Sequence, residues 1–253
     1  MNIKLVTTLT IVTLASTLAS VATPVFGFNL VPQQEGEINV GLGNPLAGNY
    51  LATTGFTVES LPDETTGVIS RLFVDKAGTA NVYGGVQFDA YDASTAENVG
   101  GGYWFRPAYM GYNDQGQLLE NGQLEVGTFR ITFDQVMETL LVRWFDTEFL
   151  QGTAGTRFWA YDLADNLIQF GMVAPLGPNN IQTRSFSNVK SIVLDVGEYV
   201  GNREDGVNFQ MEGTPIAPLP TQEVPEPSAV AGLLIGGCAL KAARRRRGKT
   251  THS

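Results

Sequence analysis

Three groups of residues have types and spacings that suggest chemistry. The first is a set of oxygen-rich loops. YDLADN offers Asp162, Asp165 and Asn166; GNREDGVN offers Asn202, Glu204, Asp205 and Asn208; FDTE offers Asp146 and Glu148. Hard oxygen donors drawn from several loops are what Ca²⁺ takes, and extracellular sites of this kind bind at roughly 10⁻⁴–10⁻³ M. No loop has the full EF-hand or nonapeptide spacing, and Asp and Asn also close turns with no ion present. Calcium is therefore the one candidate cofactor, with Asp162, Asp165 and Asp205 as candidate ligands. Asp205-Gly206 ranks first, because a sharp glycine turn aims neighbouring carbonyls inward.

The second group is aromatic. GGGYWFRPAYMGYND carries Tyr103, Trp104, Phe105, Tyr109 and Tyr112. Sugar C–H faces are apolar, so exposed rings beside Asp or Asn suit a glycan. Tyr103, Trp104 and Tyr109 are the candidate glycan contacts, and core packing is the competing explanation. The third group is paired carboxylates, all that a glycoside hydrolase needs. Acids are plentiful, but none stands in an apolar setting that would raise its pKa. Glu125 and Glu138 both alternate onto what reads as a solvated face. No catalytic residue is assigned, and a non-catalytic protein is expected.

Composition narrows the field further. The only Cys is Cys238 and the only His is His252, both near the C-terminus. The central region thus has no Ser-His-Asp or Cys-His catalysis, no Cys/His zinc site and no internal disulfide. Between Phe28 and Pro227 there are nine Lys and Arg against all 25 Asp and Glu, a balance of −16. Such a surface repels phosphate backbones, which argues against nucleic acid as a partner.

The elements that must position these groups read as strands. Phe129, Ile131 and Phe133 alternate with polar residues, as do Leu140, Val142 and Trp144, and Ile192, Leu194 and Val196. Period two is the pattern of a strand with one packed and one wet face. Further strands are expected at 37–42, 55–60, 67–75, 79–91, 102–106, 117–125, 156–162, 166–174, 183–187 and 206–212. Asn121-Gly122, Gly84-Gly85, Gly177-Pro178-Asn179-Asn180 and Asp205-Gly206 supply turns. No window of 12 or more residues has a capped helical pattern; FDQVMETLL reads as a loop or one helical turn entering a strand. The expectation is an all-β, antiparallel β-sandwich of jelly-roll type, with an immunoglobulin-type sandwich as the alternative.

Both ends look like processing signals. Lys4 precedes an apolar stretch from Leu5 to about Ala22, followed by small residues, the layout of a secretory signal peptide over 1–27. The β-domain is expected over 28–213, and the prolines of 214–224 make an extended stalk. Ser228 to Leu240 is apolar or small and too short for a comfortable membrane span unless Ala242 and Ala243 join it and Lys241 snorkels. Arg244, Arg245, Arg246 and Arg247 then lie on the cytoplasmic side, with 248–253 as a cytoplasmic tail.

This tail resembles the PEP-CTERM sorting signal of exported bacterial proteins. Pro225, Glu226 and Pro227 match the name motif over 225–247, the apolar run matches its transmembrane helix, and Arg244–Arg247 match its basic stop. Leu124, Glu125, Val126 and Gly127 resemble the signature of the LEVG family of such proteins, associated with cyanobacteria. The resemblance implies processing by an exosortase, only transient contact with the membrane, and delivery to the cell surface or extracellular matrix of a Gram-negative-type bacterium, alongside exopolysaccharide. An exported, polysaccharide-associated protein is the expected function. A purely structural matrix protein is the alternative, and a carboxylate-dependent glycoside hydrolase a more remote one.

Overall fold

In the computed structural model the described residues are 27–64, 66–88, 102–111, 125–147, 155–176, 180–200 and 203–216, without the side chains of 198–200 and 203–205. Leu124, Tyr112, Asn202, Glu148, the expected strand 117–125 except Glu125, and both processing signals, apart from Gly27, lie outside them, as do Pro225–Pro227 and Arg244–Arg247. Among the described residues no helix is long and apolar enough to cross a membrane.

The described body is all-β. Its strands are β1 (Phe28–Asn29), β2 (Gly36–Ile38), β3 (Tyr50–Leu51), β4 (Phe56–Leu61), β5 (Arg71–Lys76), β6 (Asn81–Tyr83), β7 (Val86–Phe88), β8 (Tyr103–Ala108), β9 (Gly127–Phe145), β10 (Arg157–Tyr161), β11 (Leu167–Met172), β12 (Ile181–Val196), β13 (Glu198–Val200), β14 (Arg203–Asp205) and β15 (Asn208–Pro215). Eleven form one sheet, ordered β11-β10-β12-β9-β15-β8-β5-β2-β3, with β1 on β15 and β4 on β9. The sheet is mixed rather than wholly antiparallel, because β2 and β3 pair in parallel.

Two long strands serve both halves of this sheet. Residues 128–133 of β9 pair with β4, residues 137–145 pair with β15, and β12 pairs with β9 along both stretches. Between them the register slips: Val189 faces Met137, yet Ser191 faces Thr132. The extra residues of β9 form a bulged corner. Its backbone groups are satisfied locally. Asp134 N–H donates to Gly55, Ile216 N–H donates to Val136, and the Lys190 ammonium donates to the carbonyls of Phe133 (2.6 Å) and Asp134 (3.0 Å). On β12, Asn188 takes the left-handed conformation, φ 59°. The segment FDQVMETLL is therefore extended, not a loop or helical turn. The neighbouring strands and Lys190 meet its hydrogen-bonding needs without a helix.

The corner turns the sheet's two halves face to face. Phe56 on β4 meets the ring of Phe105 on β8 at 6.1 Å. In a flat sheet the two rings would lie far apart along β9, because Phe56 is opposite Phe133 while Phe105 is opposite Trp144 through Phe209, eleven residues on and about 36 Å away. Phe158 on β10 likewise meets Phe186 at 5.1 Å and Trp144 at 5.9 Å. The result is sandwich-like, with Phe129, Ile131, Phe133, Leu140, Val142 and Trp144 all fully buried between the layers. Each such side chain contributes about 1.5–3 kcal/mol by leaving water.

β5 and β8 are buried on both faces, which explains their unbroken runs of buried residues. Phe73, on the face away from the main core, stacks on Tyr83 at 5.0 Å and meets Phe88 edge-on at 5.1 Å. Both partners belong to the β6–β7 hairpin. Its two-residue turn, Gly84-Gly85, has φ of 54° and 101°, the pair of positive angles a type I′ turn requires.

Candidate functional site

The first side-chain cluster of note lies under that hairpin. Arg106 of β8 is fully buried and pairs with Asp75 of β5 (Nη1–Oδ2, 2.8 Å) and with Glu125 (Nη2–Oε1, 2.8 Å). Its guanidinium also lies 4.4 Å from the Phe88 ring centre. Asn81 donates to Asp75 at 3.3 Å. Burial pushes the Asp75 carboxyl above its ordinary range, and the Arg106 ion pair opposes that shift. Two carboxylates around one guanidinium in a dry setting hold each other in place, and removing one partner is costly.

Glu125 was expected on a wet face; it is 8% exposed and ion-paired. The correction has a simple cause: Arg106 comes from a strand buried on both faces, so its charge must be met inside. Glu125, Val126 and Gly127, three of the four residues that resemble the LEVG signature, have packing roles here. The Glu125 carbonyl accepts from Val207 N–H (3.0 Å), and Val126 packs against Tyr109. A Cβ on Gly127 would stand 2.7 Å from Ser70 Cβ and from the Phe129 ring. Gly206 sits against the same carboxylate, where an added Cβ would come within 2.0 Å of Glu125 Oε2.

The candidate glycan residues belong mostly to this interior. Trp104 is 1% exposed beside Phe145, and Tyr109 is 3% exposed. Buried rings present no face to a saccharide. Tyr103 alone is half-buried, with the Lys76 ammonium 5.4 Å from its ring centre.

The candidate calcium residues fall on different elements. Asp162 and Asp165 share the β10–β11 turn. Asp162 Oδ1 accepts from Ala164 N–H and Asn166 N–H, both at 2.9 Å, and Asn166 Nδ2 reaches Oδ2 at 3.0 Å. These hydrogen bonds, led by the Asn166 side chain, hold the Asp162 carboxyl below its ordinary range. Asp165 adopts φ 61° and turns to Arg130 at 3.8 Å. Asp205 ends β14, outside the described side chains. Among the described residues no group of three His, Cys, Asp or Glu is placed to hold a metal.

A different surface has the form of a binding site. A groove of about 310 Å³ runs across β4, β9, β12 and β10, on the face of these strands turned away from the core. Val193 and Asp195 form its floor, Trp159 and Tyr161 one wall, and Leu61 and Pro62 the other. The strand RFWAY explains the wall: Phe158 and Ala160 point into the core, so Trp159 and Tyr161 point out. Phe170, 55% exposed on β11, extends the aromatic surface 5.4 Å from Trp159. The opposite wall is braced by the Pro62–Ile69 bridge and by Asp63, whose carboxylate accepts from Thr66 N–H at 2.6 Å.

The polar groups of the groove are largely paired. Arg157 donates to Asp195 Oδ2 from Nε (2.8 Å) and Nη2 (2.5 Å) and reaches Glu64 at 3.4 Å. Thr128 Oγ1 donates to Asp195 Oδ1 at 2.8 Å. Burial raises the Asp195 carboxyl, against the pull of Thr128 and Arg157. The Arg157 and Arg130 guanidinium carbons lie 5.4 Å from the Trp159 and 5.5 Å from the Tyr161 ring centre. The sequence signal for this face was the alternation of RFWAY, which sets two large aromatics on the wet side.

No family model matches this chain, and no curated protein does. Among solved structures it is similar to the C-terminal domain of a chitobiase from Bacteroides fragilis, with 11% identity and a TM-score of 0.33. The alignment covers 66% of this chain and 99% of that one. So distant a likeness carries no argument about function.

Proposed function

We propose that this chain is an exported cell-surface or extracellular-matrix protein, delivered by a PEP-CTERM/exosortase pathway and associated with polysaccharide without catalysing a reaction on it. Delivery rests on the ordered tail signals and the N-terminal apolar stretch. The polysaccharide part is carried by one observation, the open groove walled by Trp159 and Tyr161. Aromatic faces take the apolar face of a sugar ring, and polar groups at the edge take its hydroxyls. The non-catalytic part is supported by the engagement of the groove's buried carboxylate: Asp195 is held by Arg157 and Thr128. The jelly-roll assignment belongs to the same reading, supported by pairings such as β4 with β9 and β5 with β8 that join strands distant in sequence.

A purely structural matrix role is the second reading. It is favoured by the signature residues Glu125, Val126 and Gly127, which serve packing. Binding of the full chain to its host's exopolysaccharide, in Ca²⁺ and again in EDTA, separates the possibilities. Saturable binding that survives EDTA supports the groove; binding lost in EDTA points to calcium loops; no binding in either leaves the structural role.

A further inference from the structure

Resting on that reading, the charges around the groove narrow its ligand: we propose that the Trp159–Tyr161 groove takes uncharged pyranose units and discriminates against uronates. The apolar half is ready for a sugar ring. Trp159 and Tyr161 stand two residues apart on one strand, about 7 Å along it, with Phe170 beside Trp159 and Val193 beneath.

The charged half argues against an anion. Two cations, Arg130 and Arg157, face four carboxylates. Asp195 and Glu64 engage Arg157; Asp165 lies 3.8 Å from Arg130, and Glu59 is its cross-strand partner. Both guanidinium groups are thus already answered by carboxylates, and the local balance is negative, as is that of the whole region from Phe28 to Pro227. A sugar carboxylate arriving at contact would meet four carboxylates against two guanidinium groups that those carboxylates already engage, so repulsion outweighs attraction. Sugar hydroxyls meet no such penalty. They accept from the Arg130 guanidinium, whose side chain is 35% exposed, and donate to Asp195 Oδ1, which holds only the Thr128 hydrogen bond.

The test compares binding of the full chain to its host's exopolysaccharide before and after chemical reduction of the polymer's carboxyl groups to alcohols. Binding that is retained or strengthened on the reduced polymer, and changes less than about twofold between low and 0.5 M salt, is expected. Trp159→Ala should weaken it about tenfold, the equivalent of about 1.4 kcal/mol. Phe170→Ala, at a more exposed position, should weaken it in the same direction and guards against a folding defect in the first variant. Loss of binding on carboxyl reduction overturns the proposal. Wild-type binding by both variants also overturns it, while leaving polysaccharide association intact. Failure of the wild-type chain to bind either polymer overturns the association itself and this proposal with it.

Discussion

Replacing Arg106 with Met should be among the most damaging single changes in the protein. The substitution keeps most of the side chain's length and its packing on Phe88, so the principal loss is charge. It leaves Asp75 (1% exposed) and Glu125 (8% exposed) without the cation that both contact at 2.8 Å. Removing one partner from a buried ion pair costs about 3–5 kcal/mol. At a urea slope of about 2 kcal/mol/M, that lowers the unfolding midpoint by roughly 1.5–2.5 M. The pH dependence carries a definite sign. Burial already raises the Asp75 carboxyl and Arg106 opposes that rise, so without Arg106 the folded variant holds a proton there more readily than the unfolded chain does. Its deficit relative to wild type should therefore shrink as pH falls from neutrality toward the carboxylate range. Adding Asp75→Leu and Glu125→Met to Arg106→Met removes the orphaned charges and should recover most of the loss. Equilibrium urea unfolding followed by circular dichroism measures all of this. A midpoint shift for Arg106→Met no larger than that of a surface substitution, about 0.5 kcal/mol, would refute the reasoning.

Other outcomes follow from the same contacts. Gly127→Ala should destabilise by about 1–3 kcal/mol, because the new methyl would press on Ser70 Cβ and the Phe129 ring at 2.7 Å; thermal unfolding checks it. Trp104→Ala should cost about 3–5 kcal/mol and threaten the fold, whereas Trp159→Ala, at a half-buried ring, should lower the unfolding midpoint clearly less. The Asp162 carboxyl is held low in the folded state by Asn166. Its contribution to stability is thus present above the ordinary pKa near 3.8 and is lost as pH falls below it. Asn166→Ala should move the Asp162 carboxyl resonance back toward 3.8 in an NMR titration.

Much of the fold was legible in the chain. Strict alternation at 128–134 and 190–196 marked strands whose inward residues are the observed core, and Gly84-Gly85 marked a real hairpin. The union of 128–134 and 139–146 into one strand was not legible, because the phase of burial changes across the corner. Met137 and Leu140 are both inward, a spacing that fits neither a straight strand nor its period. The corner depends on Lys190 and Asn188, about 50 residues away in sequence, and local patterns do not report such pairings. The site divides the same way. For Trp104 and Tyr109 core packing, weighed against a glycan role, is what the fold shows: Trp104 packs against Phe145 and Ala77, and Tyr109 against Val126 and Val68. Arg106 gave no sign of burial, since a charged residue inside is rare without partners distant in sequence. Trp159 and Tyr161 followed directly from alternation, yet only the walls supplied by Leu61, Pro62 and β12 make that face a groove.

The most direct test of the whole reading is the intact mass of the protein recovered from the polysaccharide fraction of its native host. The expected species lacks the N-terminal signal residues and the tail that includes Arg244–Arg247. A chain that keeps those arginines and is found in the membrane fraction instead would contradict delivery by sorting and cleavage.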